Sequence, residues 1–318
     1  MRSAKRLGLL IAAAILAYCS TALAAPTSIN ILTGGASGVY YPLGMSLSEL
    51  YREGIPEATT SVRATKASVE NLNLLQIARG QLAFALGDSV ADAWKGDQDA
   101  GFRAPRDRLR AIAGIYPNYI QIVASQASGI HSLEELRGKR ISVGAPRSGT
   151  ELNARAILKA AGLTYADLGQ VEFKPYAESV ELIEKGQLDA TLQSAGLGMA
   201  AIRDLAERMP ITFVAIPRHV VARIGGSAYQ SGIIPAGTYK GQSQDIETAT
   251  ISNVLVSQTS VSEAVAYQMT KLLFENLEHL AEAHPAARGI RLEQAIDGLP
   301  IPLHPGAERF YREAGLLR

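Results

Sequence analysis

The sequence has almost no cysteine, nearly no net charge and, after its first 25 residues, no long hydrophobic run. Its one cysteine, Cys19, lies in the N-terminal segment, so a chain without that segment can form no disulfide and offers no cysteine as nucleophile or metal ligand. A formal net charge of +1 gives no indication of nucleic-acid binding. Later segments lack the roughly 18 uninterrupted apolar residues of a membrane-spanning helix. We therefore expect a globular chain that binds no nucleic acid and does not itself span a membrane.

Catalytic and metal-binding motifs are also missing. The five histidines show no metal-ligand spacing, and His279 and His284 stand too far apart to share a helix face. The sequence contains no G-x-S-x-G, H-E-x-x-H or G-x-x-x-x-G-K-[ST] motif. The glycines that follow Thr33 lack the full G-x-G-x-x-G spacing of a dinucleotide site. The sequence thus predicts no catalytic residue, no metal site and no cofactor.

The first 24 residues have the pattern of an export signal. A basic start precedes an apolar core at residues 7–16, which is too short to cross a bilayer. Residues 22–24 read Ala-Leu-Ala, a cleavage signal that predicts a mature periplasmic chain beginning at residue 25. Loss of the three basic residues changes the formal net charge from +1 to −2. The alternative is a lipoprotein signal at Cys19, but the bulky Tyr18 before it is unusual for that signal.

A glycine-rich loop at residues 33–42 is the feature around which the chain is arranged. It follows an apolar run at residues 29–32, typical of a buried strand, and leads into residues 43–50, where leucines recur at helical spacing. The start of such a helix has unpaired backbone N–H groups and the positive end of the helix dipole, which favour an anion. Glycines let the loop backbone approach a ligand closely. On this loop alone, an ordinary tight turn is an equally good interpretation.

A second copy of this arrangement favours a ligand site. Residues 140–144 have the pattern of another strand, followed by a loop at 145–150 and a helical pattern at 151–158. Each loop is followed, at a similar distance, by Ser-Val-Glu, at residues 68–70 and 179–181. Two α/β lobes of related plan, each offering a helix N-terminus, explain the repetition. A small anionic ligand would bind in the cleft between them.

Residues that follow predicted strands are candidates for ligand contact, because loops at the carboxyl ends of strands border the crevice of an open α/β sheet. Strands at 60–64, 82–86 and 190–193, with a helix at 68–79, place these side chains there: Lys66, Ser68, Asn71, Asp88, Ser89, Gln193 and Ser194. Helix capping is an alternative role for Ser68 and Asp88, since each stands where a helix needs an N-cap.

Two apolar segments have the pattern of crossovers between the lobes. The first comprises runs at 109–116 and 120–124, separated by a predicted break at Pro117. The second is a strand at 250–257. The chain would thus enter the second lobe once and return once.

The remaining C-terminal part is predicted as excursion, helix and irregular tail. Residues 225–248 lack helical periodicity and indicate a long surface excursion. A single long helix is predicted over 261–280. The tail from residue 281 would pack on the first lobe, and three prolines argue against regular structure there: Pro300, Pro302 and Pro305.

Six motifs, in order along the chain, carry a family resemblance. They are T-G-G-A-S-G-V-Y-Y-P from Thr33, S-V-E-N-L from Ser68, G-D-S from Gly87, G-A-P-R-S-G-T-E-L-N-A-R from Gly144, N-V-L-V from Asn253 and A-V-A-Y-Q-M-T-K-L-L-F-E-N-L from Ala264. Together they resemble the TAXI family, the extracytoplasmic solute-binding proteins associated with TRAP transporters. The resemblance covers essentially the whole chain after the export signal.

The resemblance implies an α/β protein with the two-lobed type II periplasmic-binding-protein fold, a ligand cleft between the lobes and two crossover strands as the hinge. The first lobe would comprise residues 25–122 and 255–318, and the second residues 123–254. It also implies capture of a small organic acid or amino acid, of the glutamate, glutamine or 2-oxoglutarate kind. Delivery would be to a sodium-coupled TRAP permease in the membrane. We expect a monomer without enzymatic activity.

The family's ligand contacts carry over to a set of positions, to which the strand-end argument adds Gln193. The expected ligand-binding residues are Gly35, Ser37, Gly38, Tyr40, Ser68, Asn71, Asp88, Ser148, Gly149, Thr150 and Gln193. Arg147 stands where the family usually has a small residue and would add positive charge at the mouth of the cleft. A ligand carboxylate held by both helix starts would favour closure of the lobes. Two alternatives stay open: a binding protein that serves a sensor kinase, and an exported hydrolase that uses the same cleft.

Overall fold

One mixed sheet forms the centre of the molecule. The computed structural model describes residues 27–317, so the export signal predicted at residues 1–24 lies outside the described part. The strands are β1 (Thr27–Leu32), β2 (Ala58–Arg63), β3 (Leu82–Leu86), β4 (Leu109–Ser125), β5 (Arg140–Ser142), β6 (Gln170–Glu172), β7 (Ala190–Ala195), β8 (Ile211–Val214), β9 (Tyr229–Ile234) and β10 (Ile246–Gln258). Their order in the sheet is β2-β1-β3-β10-β4-β7-β5-β6, with β8 beside β4 and β9 beside β10.

Helices cover both faces of this sheet. They are α1 (Tyr40–Gly54), α2 (Ser68–Gln76), α3 (Gly87–Lys95), α4 (Gly149–Ala160), α5 (Tyr176–Glu184), α6 (Ala200–Arg208), α7 (Arg218–Ile224), α8 (Glu263–Glu275), α9 (Leu277–Ala283) and α10 (Pro305–Glu313). Among residues 27–317, no helix combines the length and apolar character needed to cross a membrane.

The sheet contains two parallel three-stranded units of the same plan. In the first unit β1 lies between β2 and β3, and in the second unit β5 lies between β6 and β7. A strand, a helix and a parallel strand follow one another in each unit, as expected for a doubly covered α/β sheet. The prediction of two α/β lobes of related plan is therefore confirmed at the level of the fold.

Two long antiparallel strands, β4 and β10, lie between the units and connect them. Strand β4 pairs with β10 over its first part and with β7 over residues 119–124. Strand β10 pairs with β9 at its start and with β3 over residues 253–256. Strand β10 therefore joins the first unit through β3, β4 joins the second unit through β7, and the two strands pair with each other. The proposed lobe boundaries near residues 122 and 254 fall within these strands and stay predictions.

Apolar side chains fix the helices on the two faces of the first unit. Helices α1, α8 and α10 pack on one face through a cluster that includes Leu47, Met269 and Tyr311. Helices α2 and α3 pack on the other face through Leu72 and Val90. Burying such side chains contributes about 1.5–3 kcal/mol each to the stability of the fold. The loops at the strand ends therefore need not supply this stability themselves.

The break predicted at Pro117 is wrong, because β4 runs without interruption from Leu109 to Ser125. Pro117 pairs with Ser252 of β10, beside a register shift between Ser252 and Val254. Proline cannot donate to the ladder and is tolerated in strands mainly at edges and bulges. The irregular pairing accommodates it, and β4 continues.

The surface excursion predicted at 225–248 is also wrong in part, because it contains β9 and the start of β10. The two strands pair antiparallel, with Ile234 opposite Ile246. Gly232 is required at this approach, since a Cβ there would lie 2.4 Å from Cγ2 of Thr250. Glycine and polar residues hid the strand from a pattern-based prediction.

The C-terminal part is more regular than predicted. The single helix expected over 261–280 is two helices, α8 and α9, separated at Asn276, whose φ is −127° and ψ 35°. Pro305 does not prevent a helix but begins α10, because a proline in the first turn needs no N–H partner. His304 supports this start by accepting a hydrogen bond from the Gly306 N–H through Nδ1.

Candidate functional site

A cavity of about 170 Å³ lies where the two units and β4 meet. The first unit contributes Gly34, Gly35, Ser37, Gly38, Val39, Tyr40, Thr65, Lys66, Ala67, Ser68 and Leu86. Strand β4 and the second unit contribute Tyr116, Asn118, Ala145, Gly149, Thr150, Pro175, Tyr176, Ser194 and Ala195. The lining therefore comes from both glycine loops and from the strand that connects the units.

The first glycine loop leaves the start of α1 open to the cavity. No side chain caps this helix, and its first turn holds no acidic residue. The first N–H groups of a helix have no partner within the helix, so this end is suited to an anion. Gly38 donates its N–H to the Gly35 carbonyl, and a Cβ on Gly38 would lie 3.6 Å from the Tyr176 ring of the second unit.

The second glycine loop is occupied by the protein's own groups. Ser148 caps α4, its Oγ accepting from the Glu151 N–H at 3.2 Å. Glu151 adds a carboxylate to the first turn. A Cβ on Gly149 would lie 2.6 Å from Oγ of Ser68 and 2.7 Å from Cδ1 of Leu86, both in the first unit. The second loop is thus packed directly against the first unit.

Three tyrosines line the cavity: Tyr116, which is buried, and Tyr40 and Tyr176, which are partly buried. The Tyr40 hydroxyl donates to Oδ1 of Asn253 at 2.5 Å, and its ring stacks on Phe84. The Tyr116 hydroxyl is buried and has no hydrogen-bond partner among the described residues. Burial raises the pKa of all three phenols. They therefore stay neutral and act as hydrogen-bonding groups rather than charges.

Tyr176 organises the second-unit side of the cavity. Its hydroxyl lies 2.5 Å from Oγ1 of Thr150 and donates to the Ser194 carbonyl at 2.7 Å. It also accepts from the Ser194 N–H at 3.2 Å. These bonds fix the Thr150 hydroxyl at the cavity wall.

A chain of buried polar side chains leads from the cavity into the wall behind it. Nδ2 of Asn118 donates to Oγ of Ser194 at 2.6 Å, and that hydroxyl donates to Oδ1 of Asn153 at 2.6 Å. Nδ2 of Asn153 donates to Oδ2 of Asp88 at 2.7 Å and to the Tyr229 hydroxyl at 2.8 Å. The Tyr229 hydroxyl in turn donates to Oδ2 of Asp88 at 2.7 Å. The chain thus joins the first unit, through Asp88, to the second.

Charge is scarce at the cavity. Of the described residues that line it, Lys66 is the only one among Asp, Glu, Lys, Arg and His, and it is exposed. Arg147, expected to add positive charge at the mouth, is exposed and does not line the cavity. Within residues 27–317 no group of three or more His, Cys, Asp or Glu side chains is placed to hold a metal ion.

Seven of the expected ligand-binding residues line the cavity: Gly35, Ser37, Gly38, Tyr40, Ser68, Gly149 and Thr150. Ser68 is the first residue of α2 rather than its N-cap, and its Oγ accepts from the Leu86 N–H. The capping alternative is therefore wrong for Ser68. Its hydroxyl instead ties the start of α2 to the end of β3.

Four expected residues do not line the cavity: Asn71, Asp88, Ser148 and Gln193. Asn71 donates to the carbonyls of Thr33 and Phe84, so it holds two strand ends together. Ser148 is the cap of α4 and Asp88 ends the polar chain. Asp88 is also not a cap, since it is the second residue of α3. Gln193 donates weakly to the Tyr176 carbonyl at 3.4 Å.

Four polar residues line the cavity without having been predicted from the sequence: Thr65, Tyr116, Asn118 and Tyr176. One signal for two of them was present. Thr65 stands three residues before Ser68 and Tyr176 three before Ser179, so they occupy matching places before the two Ser-Val-Glu segments. Tyr116 and Asn118 flank the proline that was interpreted as a break, which concealed that both belong to β4.

Solved structures with a similar backbone have the type II periplasmic-binding-protein fold. PhnD1 from Prochlorococcus marinus in complex with methylphosphonate is 12% identical, with 92% of this chain and 100% of that one covered and a TM-score of 0.59. The alkanesulfonate-binding protein SsuA from Xanthomonas axonopodis pv. citri bound to MOPS is 15% identical, with 93% and 96% covered and a TM-score of 0.51. XAC2383 from Xanthomonas citri bound to ATP is 13% identical, with 91% and 97% covered and a TM-score of 0.52.

The sequence itself identifies the family. The characteristic pattern of the NMT1-like family matches residues 31–315, which is most of the described part of the chain. The match extends from β1 across both glycine loops to the end of α10. The chain therefore belongs to the NMT1-like family.

Proposed function

We propose that the protein is a periplasmic solute-binding subunit of a TRAP transporter, of the TAXI type. It captures a small organic acid or amino acid of the glutamate, glutamine or 2-oxoglutarate kind and delivers it to a sodium-coupled membrane permease. The observation that carries the proposal is the cavity built jointly by both units. Two of its lining residues, Tyr116 and Asn118, each have a buried side-chain oxygen, the Tyr116 hydroxyl and Oδ1 of Asn118, that lacks a partner among the described residues. Buried polar atoms without partners are rare in proteins, so a ligand that satisfies them is favoured.

The size and lining of the cavity support a small, partly anionic ligand. A protein cavity of about 150 Å³ binds benzene, so a space of about 170 Å³ suits a ligand near the size of an amino acid. A carboxylate fits the uncapped start of α1, with the Lys66 ammonium at the entrance. Methylphosphonate and MOPS, named for two of the similar structures, are likewise small organic molecules with an acidic group.

Closure follows from the distribution of these contacts. The first unit supplies the open helix start, whereas the second supplies Thr150 and Tyr176. A ligand bound to both stabilises the arrangement in which the units are in contact. We place the lobes at residues 25–122 with 255–318 and at 123–254, with β4 and β10 as the hinge. The permease would recognise the closed form.

Ligand binding is tested on the mature chain after unfolding, dialysis and refolding, which removes ligand carried over from expression. A thermal-shift panel of glutamate, glutamine, 2-oxoglutarate, four- to six-carbon dicarboxylates and neutral amino acids should contain at least one hit. A ligand at 100 times its Kd adds about 2.7 kcal/mol to the free energy of unfolding. The Tyr116→Phe variant should lose part of that shift, because it lacks one of the unpaired groups. A panel without any hit would contradict the proposed ligand class.

The transport part has a separate test. Proteoliposomes that contain the TRAP permease from the same organism should take up the ligand only when this protein and an inward sodium gradient are present. Uptake that requires ATP instead, or that proceeds without this protein, would contradict the assignment to a TRAP transporter.

A further inference from the structure

In the chain of polar side chains behind the cavity, each hydrogen bond has a determined donor and acceptor. Asp88 accepts hydrogen bonds from four donors: the Ser89 N–H, the Ser89 hydroxyl at 3.4 Å, Nδ2 of Asn153 and the Tyr229 hydroxyl. A carboxylate can only accept, so Asn153 must turn its amide nitrogen toward Asp88. The Tyr229 hydroxyl, whose proton is given to Asp88, also accepts from the same nitrogen of Asn153. Asp88 therefore fixes the orientation of the Asn153 amide both directly and through Tyr229.

The orientation of the Asn153 amide also determines which groups donate and which accept at the cavity wall. Oδ1 of Asn153 faces Ser194 and can only accept, so the Ser194 hydroxyl donates to it. That hydroxyl has one proton and must then accept from its other neighbour, Nδ2 of Asn118. Asn118 is left with Oδ1, which is buried and has no partner among the described residues. Asn118 lines the cavity.

We propose that Asp88 is a positioning residue which, through Asn153 and Ser194, makes Asn118 present a hydrogen-bond acceptor to the ligand. The inference rests on the proposed function and narrows its ligand class. The ligand then carries an N–H or O–H donor at this point, and an amino acid satisfies Asn118 where the matching 2-oxo acid, with a carbonyl oxygen there, does not. A site built around a polar group discriminates strongly against an analogue that leaves the group unpaired.

The test is discrimination between matched ligands rather than affinity. Isothermal titration compares glutamate with 2-oxoglutarate, aspartate with oxaloacetate and alanine with pyruvate, which differ by an amino group in place of a keto oxygen. The wild-type protein should bind the amino member of at least one pair tighter by roughly tenfold or more. In Asp88→Asn the new amide can either donate or accept, so it no longer fixes which groups of the chain donate and which accept. The ratio of the affinities for the amino and the 2-oxo member should therefore fall to within about threefold.

Asp92→Asn is the matched control, since it removes one negative charge from the same helix, one turn further on, without entering the chain. Its ratio should equal that of the wild type. Ser194→Ala breaks the chain while Asp88 stays intact, so it should lower the ratio as Asp88→Asn does. This variant also keeps the test decisive if Asp88→Asn does not fold.

Several outcomes would overturn the inference. An unchanged ratio in both Asp88→Asn and Ser194→Ala would do so, as would an equal fall of the ratio in Asp92→Asn, which would mean that charge rather than hydrogen-bond direction discriminates. Tighter binding of the 2-oxo members overturns the inference and leaves the proposed function standing. Binding of none of the acids contradicts the proposed function and the inference together.

Discussion

The two glycine loops of this protein share a sequence plan but differ in what they leave available. The loop before α1 has no capping side chain and no acidic residue in the first helical turn. The loop before α4 has both, in Ser148 and Glu151. An uncapped helix start keeps donors and partial positive charge for an anion, whereas a capped one has already used part of them. Similar motifs therefore need not make equivalent half-sites.

The units also differ at the start of the helix that carries the Ser-Val-Glu segment. Helix α2 begins at Ser68 after Ala67, whereas α5 begins at Tyr176, three residues earlier relative to the shared Ser-Val-Glu segment. This earlier start brings the Tyr176 ring to the cavity in the place where the first unit has Thr65. At these matching positions the second unit thus contributes a large aromatic side chain to the cavity, and the first unit contributes the smaller Thr65.

The same substitution in the two glycine loops should have very different effects on ligand affinity. Gly149→Ala places a Cβ 2.6 Å from Oγ of Ser68 and 2.7 Å from Cδ1 of Leu86, whereas a Cβ on Gly35 meets nothing within 4 Å. Overpacking costs about 1–3 kcal/mol, which corresponds to a five- to 150-fold loss of ligand affinity in Gly149→Ala if the units separate to avoid the contact. Titration calorimetry should find much less change in Gly35→Ala. Equal losses of affinity in the two variants would contradict the conclusion that the loop at Gly149 is tightly packed and the loop at Gly35 is open.

Removal of a hydroxyl group from the second unit should have a smaller effect on ligand affinity. Oγ1 of Thr150 lies 2.5 Å from the Tyr176 hydroxyl at the cavity wall. Thr150→Ala should weaken ligand binding about five- to tenfold, since a net hydrogen bond contributes about 1 kcal/mol and leaving its partner unpaired adds to the loss. Thr150→Ser keeps the hydroxyl and should bind as the wild type does. A wild-type affinity in Thr150→Ala would remove this group from the site.

The sequence revealed the fold better than the site because periodicity is a local property. The strand at 29–32, the helix after it and their second copy were predicted correctly, since apolar spacing records one buried face. Strand β9 was missed because its register against β10 depends on a partner that is distant in sequence and on the small size of Gly232. Pairing of this kind leaves little local pattern.

For the site, the loops could be predicted but the wall behind them could not. Gly35 and Gly38 follow a strand and border the cavity, as the position of strand ends in α/β sheets predicts. Asp88 also follows a strand, yet its side chain accepts from Asn153 and is not part of the cavity lining. Asn118 reaches the cavity from within β4. Which face a strand residue presents depends on register, which a single sequence does not determine.

A smaller effect distinguishes the acidic residues of α3 from those of the second unit. Burial, followed by the neighbouring carboxylates of Asp88 and Asp97, raises the pKa of Asp92 to about 6, and Lys95 opposes the shift. Because the folded pKa lies above the unfolded value, ionisation of Asp92 lowers stability as pH rises from about 4 through 6. Asp92→Asn should therefore raise Tm at pH 7.5 by roughly 1–3 °C and leave Tm at pH 4 nearly unchanged.

The matched control is Asp204→Asn in α6, because Asp204 is exposed and forms an ion pair with the neighbouring exposed Arg203. Exposed pairs of this kind contribute little to stability, so the Tm of this variant should follow the wild type at both pH values. A pH-independent gain in Asp92→Asn would show that its carboxyl ionises normally in the folded protein.

The smallest effect concerns the strained backbone of Ala67, which also lines the cavity. Its φ of 69° and ψ of −146° lie in a region that is essentially restricted to glycine and costs about 1–3 kcal/mol. Ala67→Gly should remove this strain, but glycine also gains freedom in the unfolded chain, so the net rise in the free energy of unfolding should be about 1 kcal/mol or less. Chemical denaturation measures the change.

Ala78→Gly is the control for Ala67→Gly, because Ala78 also has a positive φ, of 56°, but lies outside the cavity lining. Both variants should gain stability, whereas only Ala67→Gly should bind ligand more weakly, by about two- to threefold, since a freer loop must be ordered on binding. The strain would then be a feature of the first unit that holds its open loop in the form suited to the ligand. A loss of stability in Ala67→Gly, with a gain in Ala78→Gly, would show instead that the contacts of the Ala67 methyl group outweigh its backbone strain.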